Sequence, residues 1–139
     1  MEIAKSTARE SLCIRAESQV GAVAVKNGCV IARGFNGALC TEYNCEKRGY
    51  CIRQRKDIPS GTAREIAYCI CAEQRMICQS ARHGVSLIGA EVYITHAPCA
   101  FCIRLMIECG VARAYYEIEY PQPFADVVAK EFNFELVKI

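Results

Sequence analysis

Apolar positions along the chain change their period several times, and each change marks an element. From Ile3 to Glu17, the positions Ile3, Ala4, Thr7, Ala8, Ser11, Leu12 and Arg15 recur at helical spacing and predict a first amphipathic helix. Two short apolar runs follow, Val20 to Val25 and Val30 to Phe35, with Lys26-Asn27-Gly28 between them. Asn and Gly both tolerate positive φ, so this junction predicts a hairpin. Asn36 to Thr62 keeps no steady period and is broken by Gly, Pro and Cys, which predicts a long loop. A loop of that length in a compact domain serves a function or is held by something. From Cys71 the spacing is helical again, with Ala72, Met76, Ile77, Ser80 and Ala81 on one face and His83-Gly84 as the stop. Val92 to Thr95 predicts a buried strand, and Pro98 opens a helix running to Gly110, proline being suited to a first helical position. Val111 to Ile118 predicts a strand, Phe124 to Phe132 a helix, and Phe134 to Val137 a last strand. A hairpin followed by strand–helix–strand units implies one α/β domain over residues 1–139, a mixed sheet of about five strands covered by helices.

Composition narrows the classes. With 139 residues, 53% hydrophobic and 23% charged, the chain is not disordered, collagen-like or a coiled coil. No apolar run approaches the ~20 residues of a membrane span. The first residues carry Glu2, Lys5, Arg9 and Glu10, unlike a signal peptide. A net charge of +2 without a continuous basic stripe argues against nucleic acid as partner. The 11 cysteines are an odd number in a chain long enough to build its own core, with no export signal. They are expected as reduced thiols in the cytoplasm, serving as small core residues or metal ligands. Cys29, Cys78 and Cys109 lie in apolar periodic segments and are expected in the core.

One combination carries chemistry. Cys71-Ala72-Glu73 stands at the start of one predicted helix, and Pro98-Cys99-Ala100-Phe101-Cys102 at the start of another. A lone C-x-x-C is more often a pair of core cysteines, and a lone Glu a surface acid. Together these residues point to a metal. Cys99 and Cys102, three apart, share one helical face, and Cys71 adds a third thiolate from the other helix. Two helix N-termini aimed at one spot favour negative charge and are expected to lower the thiol pKa values. Three ligands leave tetrahedral zinc one open position, the mark of a catalytic site. Glu73 is then free to move protons between water and a substrate.

The same residues resemble the zinc deaminase signature, with Cys71 where that signature has His. The chain is similar to the cytidine deaminase superfamily, and within it most similar to the deoxycytidylate (dCMP) deaminases, from about Val20 to Pro121. Val20-Gly21-Ala22-Val23 with Gly34-Phe35-Asn36-Gly37 resembles the family's opening hairpin. Ile58-Pro59-Ser60-Gly61-Thr62, Cys71-Ala72-Glu73-Gln74, Gly84-Val85-Ser86 and Gly89-Ala90 resemble its central region, and Tyr93-Ile94-Thr95-His96 leads into Pro98-Cys99 as it does in that family. The resemblance implies a three-layer α/β/α fold and a homo-oligomer with active-site loops borrowed from neighbours. It also implies zinc on Cys71, Cys99 and Cys102, with Glu73 as the catalytic acid and base. Asn36 would contact the sugar, and the backbone at Ala72 and Ala97 would read the pyrimidine edge. Two departures stand out. Three thiolates leave zinc less electropositive than two thiolates and an imidazole, and nucleoside deaminases with three Cys offset this with an Arg near the motif. Arg75 is one turn beyond Cys71, where the nucleotide branch has Asn. It offsets that charge, grips a substrate phosphate, or is a solvated helix residue.

The loop cysteines suggest a second metal. Some nucleotide deaminases hold a structural zinc with ligands from this loop, and by that resemblance Cys45, Cys51 and Cys69 are candidates, with Cys40 or Cys13 as a fourth. A closed Cys₄ site would order the loop. Lys47, Arg48, Arg53, Arg55 and Lys56 either receive a nucleotide phosphate or form a solvated face among Glu42, Glu46 and Asp57. His96 either contacts substrate or is a packed residue beside the motif; Tyr115, Tyr116 and Tyr120 suit strand-edge packing better than base stacking. The expected activity is hydrolytic deamination of cytosine in dCMP or CMP. The alternatives are a free nucleoside or another amino-heterocycle as substrate, a non-catalytic zinc protein, and an editing deaminase, which the charge disfavours.

Overall fold

The computed structural model describes the whole chain except residues 16–17, 40–44, 60–61, 64–65 and 123 and the side chain of residue 46. The hairpin forms where the sequence places it. Asn27 and Gly28 both take positive φ, 52° and 76°, and join strand β1 (Gly21–Lys26) to β2 (Cys29–Phe35). Their register slips between Ala24 and Val25, where Ile31 is passed over.

Strands β5 (Glu91–His96), β6 (Arg113–Ile118) and β7 (Glu135–Lys138) complete a mixed sheet in the order β2-β1-β5-β6-β7. The β1 pairings are antiparallel and those of β6 parallel. Helices α5 (Ala100–Glu108) and α6 (Ala125–Glu131) make the crossovers that parallel pairing needs.

The two layers of helix follow from two glycines. Successive strand residues point to opposite faces, so Gly21 and Ala22 look opposite ways. A Cβ on Gly21 would lie 2.1 Å from the Ala4 carbonyl oxygen, which puts helix α1 (Glu2–Ala8) on one face. Ala22 pairs with Gly34, and a Cβ there would lie 2.3 Å from the Ala72 carbonyl oxygen and 2.4 Å from the Met76 nitrogen. Helix α4 (Ala72–His83) therefore lies on the other face, in backbone contact with β2. On that face Ala22, Ala24, Val92, Ile94 and Ala114 pack beneath Met76, Ile103 and Met106, with Ala125 and Ala129 of α6 closing the cluster. Small strand residues under large helical ones bring the starts of α4 and α5 close to the sheet.

Several boundaries differ from the sequence reading. The first helix ends at Ala8 instead of continuing to Glu17, because the next segment is claimed by the tip of β2. The Leu12 N–H donates to the Asn36 carbonyl (3.3 Å), and the Ser11 hydroxyl lies 2.6 Å from Asn36 Oδ1. The stretch read as one long loop holds strand β3 (Gly37–Ala38), helix α2 (Cys45–Arg48) and helix α3 (Ile52–Arg55). Its first piece is tied down by pairing β3 with β4 (Cys69–Ile70). Pro98 precedes the cap of α5 instead of opening it; Cys99 is the N-cap, extended at φ −81° and ψ 161°. Among the described residues no helix is long and apolar enough to cross a membrane.

Candidate active site

The two helices that carry the signature begin in the same way. Cys71 caps α4 in extended conformation and Cys99 caps α5, so each sulfur sits at a helix N-terminus, and Cys102 follows in the first turn of α5. Gln74 fixes the first of them: the Cys71 N–H donates to its Oε1 at 2.9 Å, satisfying a backbone donor at the helix start. The Sγ atoms of Cys99 and Cys102 are 3.5 Å apart, and all three sulfurs lie within 4.8 Å of one another. Among the described residues this is the one such group of potential ligands. Zinc–sulfur bonds of about 2.3 Å in a tetrahedron put sulfurs roughly 3.8 Å apart, so the donor set fits that ion.

Against the lowering expected from the helix N-termini, the Cys71 and Cys102 thiols are shifted upward. Cys102 is completely buried and Cys99 nearly so. The Cys102 thiol is pushed well up by hydrogen bonds with Cys71 and Cys99, then by burial and the charge of Glu73. For Cys71 the hydrogen bond with Cys102 acts downward, but the bond with Cys99, burial and Glu73 outweigh it, and the net shift is upward. A divalent cation is the natural charge to release their protons.

Glu73, only 3% exposed, lines a cavity of about 370 Å³ together with Cys71 and Cys99. Asn36, Ala72 and Ala97 line it too, so six of these expected site residues meet in one space, with Cys102 buried just behind. Asn36 is held by its own amide. Its Oδ1 accepts from the Val20 N–H (2.9 Å) and its Nδ2 donates to the Ser18 carbonyl (2.6 Å). The Ala97 N–H donates to the Ile118 carbonyl (2.8 Å), which commits it to the sheet.

Arg75 is elsewhere, and the expectation that it grips substrate is corrected. It is not among the residues lining the cavity. Its Nε donates to the Phe35 carbonyl (2.7 Å), its Nη2 to those of Ala38 (2.8 Å) and Gly37 (3.2 Å), and the guanidinium lies 4.7 Å from the centre of the Phe35 ring. Partial burial lowers its pKa. Three carbonyls at the end of β2 and in β3 take its Nε and Nη2 donors.

The remaining candidates sort as follows. Cys45 is buried, with its thiol pushed up to about 11 by burial first and then by Cys51, Cys69 and Cys13. A hydrogen bond with Cys51 adds to the upward shift, and Cys40 lies outside the described residues. Cys29 and Cys78 are exposed, contrary to the core expected for them, because each falls on the outward side of its element; Cys109 does pack against the core. Tyr115 stacks on Tyr93 at 4.9 Å, as sheet packing, whereas Tyr120 lines the cavity with His96 edge-on to it. Burial lowers the pKa of His96, whose Nδ1 is 3.0 Å from the Thr95 hydroxyl.

The cavity also contains residues that the sequence did not single out: Arg15, Ser18, Gln74 and Gln122. Gln74 was findable, since a Gln at the third position of a capped helix is a capping-box residue. Arg15 was hidden in a stretch read as helix.

Comparison with known proteins agrees with this geometry. Residues 1–118 match the model of the cytidine and deoxycytidylate deaminase zinc-binding region. The chain is 33% identical over 121 residues to the deoxycytidylate deaminase of Mycobacterium phage D29, covering 84% of this chain and 90% of that one. It is 36% identical over 107 residues to ComE operon protein 2 of Bacillus subtilis, covering 76% of this chain and 52% of the other, so it spans about half of that relative's length. Among solved structures, the dCMP deaminase of cyanophage S-TIM5 in complex with dCMP and dUMP superposes with a TM-score of 0.79 at 28% identity, over 99% of this chain and 92% of that one.

Proposed function

The chain belongs to the cytidine and deoxycytidylate deaminase family, and on that footing we propose that it deaminates cytosine in a nucleotide, dCMP or CMP, to the uracil product and ammonia. The observation that carries this reading is the meeting of three thiols and a buried carboxylate at two helix starts inside one cavity. Cys71, Cys99 and Cys102 would hold zinc. When bound, the ion supplies a Lewis acid that makes water a readier proton donor.

The chain's own residues do the rest. Glu73 takes a proton from the attacking water on a carboxylate oxygen and passes protons to the ring nitrogen and the departing amine. A C–O bond forms at the ring carbon as the C–N bond to the amine breaks. The Ala72 N–H, in the first turn of α4, has no acceptor within the helix and suits a pyrimidine oxygen. The Ala97 carbonyl, whose N–H is already committed to the sheet, suits the exocyclic amine. Asn36 keeps a second amide hydrogen for the sugar.

A second, structural zinc belongs to the same reading. Cys45, Cys51 and Cys69, with Cys13 as the fourth, would hold it and bind the N-terminal segment to the short helices α2 and α3. Elemental analysis should give two zinc ions per chain, and one would refute the second site.

The main test is ammonia release from cytosine, cytidine, deoxycytidine, CMP and dCMP, with Glu73→Ala as control. Turnover of a nucleotide and a dead control are expected. Turnover of nucleosides only would move the assignment to the nucleoside branch. A zinc-loaded protein that releases ammonia from none of these would refute the reading.

A further inference from the structure

Arg75 stays out of the cavity, and its hydrogen bonds go to the short run of chain that carries Asn36. On one side of Asn36 it holds the Phe35 carbonyl; on the other it holds those of Gly37 and Ala38. The guanidinium therefore spans the bend between β2 and β3, which Gly37 makes at φ 144°. Its planar fork of donors fixes several acceptors relative to one another, as the single ammonium of a lysine does not. The Phe35 ring lies 4.7 Å from the guanidinium carbon and helps to hold the fork in place.

The same grip is tied to the helix that carries the chemistry. Arg75 stands two residues beyond Glu73 and one turn beyond Cys71 on α4. From the other direction, β4 holds β3 by pairing Ile70 with Gly37 and Cys69 with Ala38, and Cys71 follows directly. The run from Cys69 to Arg75 thus holds Gly37 and Ala38 twice, by strand pairing before the first metal ligand and by a side chain after the carboxylate. Asn36 hands this placement on to the cavity wall, where it bonds the Val20 N–H and the Ser18 carbonyl.

We propose that Arg75 is a positioning residue that sets Asn36 at a fixed distance from Glu73, and so governs how firmly the sugar is held while the ring reacts. This rests on reading the cavity as a cytosine site with Asn36 at the sugar. Two groups that act on one substrate molecule must be held to within about 0.5 Å, and a misplacement of about 1 Å costs on the order of 10²-fold.

The test uses the zinc-loaded protein with Arg75→Lys and Arg75→Gln, and Arg82→Gln, an exposed residue of the same helix, as control. For dCMP, kcat/KM should fall about 10- to 100-fold in both Arg75 variants, mainly through KM, with zinc content unchanged. In an Asn36→Ala background the same substitutions should cost less than about threefold more, because the residue they place is gone. Amide exchange followed by NMR gives a readout without substrate. The Leu12 and Val20 amide protons, which Asn36 accepts, should exchange about 10-fold faster in Arg75→Lys, while that of Ala97 in the sheet is unmoved. A lysine variant equal to wild type in KM and exchange would overturn the proposal, since charge alone would then suffice. So would a shifted pH profile of kcat with KM unchanged, which would mark Arg75 as offsetting the charge of the metal site. Full additivity with Asn36→Ala, or equal acceleration at Ala97, would mean general loosening and overturn it too. If no cytosine compound is turned over, the deaminase reading fails by itself, and amide exchange still decides whether Arg75 places Asn36.

Discussion

Two regions of this molecule are rich in cysteine, and they are built in opposite ways. Cys71, Cys99 and Cys102 sit on the first turns of two helices packed on the sheet, so backbone geometry alone brings their sulfurs within 4.8 Å. Cys13, Cys45, Cys51 and Cys69 come from the segment after α1, two short helices and a two-residue strand, none of which packs on the sheet as a long helix. The first site is formed by the fold; the second would help to form it. A preorganised seat suits catalysis, where ligand positions set the chemistry, while a collected one suits a structural ion whose binding energy orders the chain.

Substitutions can break this contrast, starting with the largest effect. Cys102→Ser should abolish the catalytic metal and cut turnover by at least about 10³-fold, the equivalent of several kcal/mol of lost Lewis-acid stabilisation. Elemental analysis beside the ammonia assay checks it. Gly34→Ala should come next. A methyl group there meets the α4 backbone at 2.3–2.4 Å, so the helix start carrying Cys71 and Glu73 must move. A stability loss of about 1–3 kcal/mol and a fall in turnover on the order of 10²-fold are expected, read by denaturant unfolding and steady-state kinetics.

Cys45→Ser sharpens the comparison from the other side. It should remove one zinc and lower the melting temperature, while turnover at 25 °C stays within about threefold of wild type, well under the 1.4 kcal/mol of a tenfold change. Loss of activity as complete as in Cys102→Ser would show that both regions serve the chemistry. The smallest effect is expected for Gln74→Ala, which removes the acceptor of the Cys71 N–H. About 1 kcal/mol of stability should go, with faster loss of zinc to a chelator.

Where function was legible, the signal was local. Asn27-Gly28 predicts a turn because φ alone decides it, and both residues take the positive values that the turn needs. Cys71, Glu73, Cys99 and Cys102 announce a site because helix starts place side chains by short-range geometry. What escaped was long-range. Ser11 and Leu12 fit a helical pattern, yet Asn36, distant in sequence, takes their hydrogen bonds and ends the helix early. Arg75 occupies a position that suggests charge compensation, but three carbonyls across the fold claim it. Cys29 and Cys78 satisfy an apolar period and still face outward, since period does not say how far a neighbouring layer extends.

The amino-acid sequence by itself determined the hairpin turn and the two helix starts that carry Cys71, Glu73, Cys99 and Cys102, because each depends on residues a turn or less apart. Only the tertiary structure decided which arginines enter the cavity. Arg15 and Arg53 meet there from segments on either side of the hairpin, while Arg48, Arg55 and Arg75 are drawn off by rings and carbonyls. A long, flexible cation goes where partners from several segments converge, and that convergence exists only once the chain has folded.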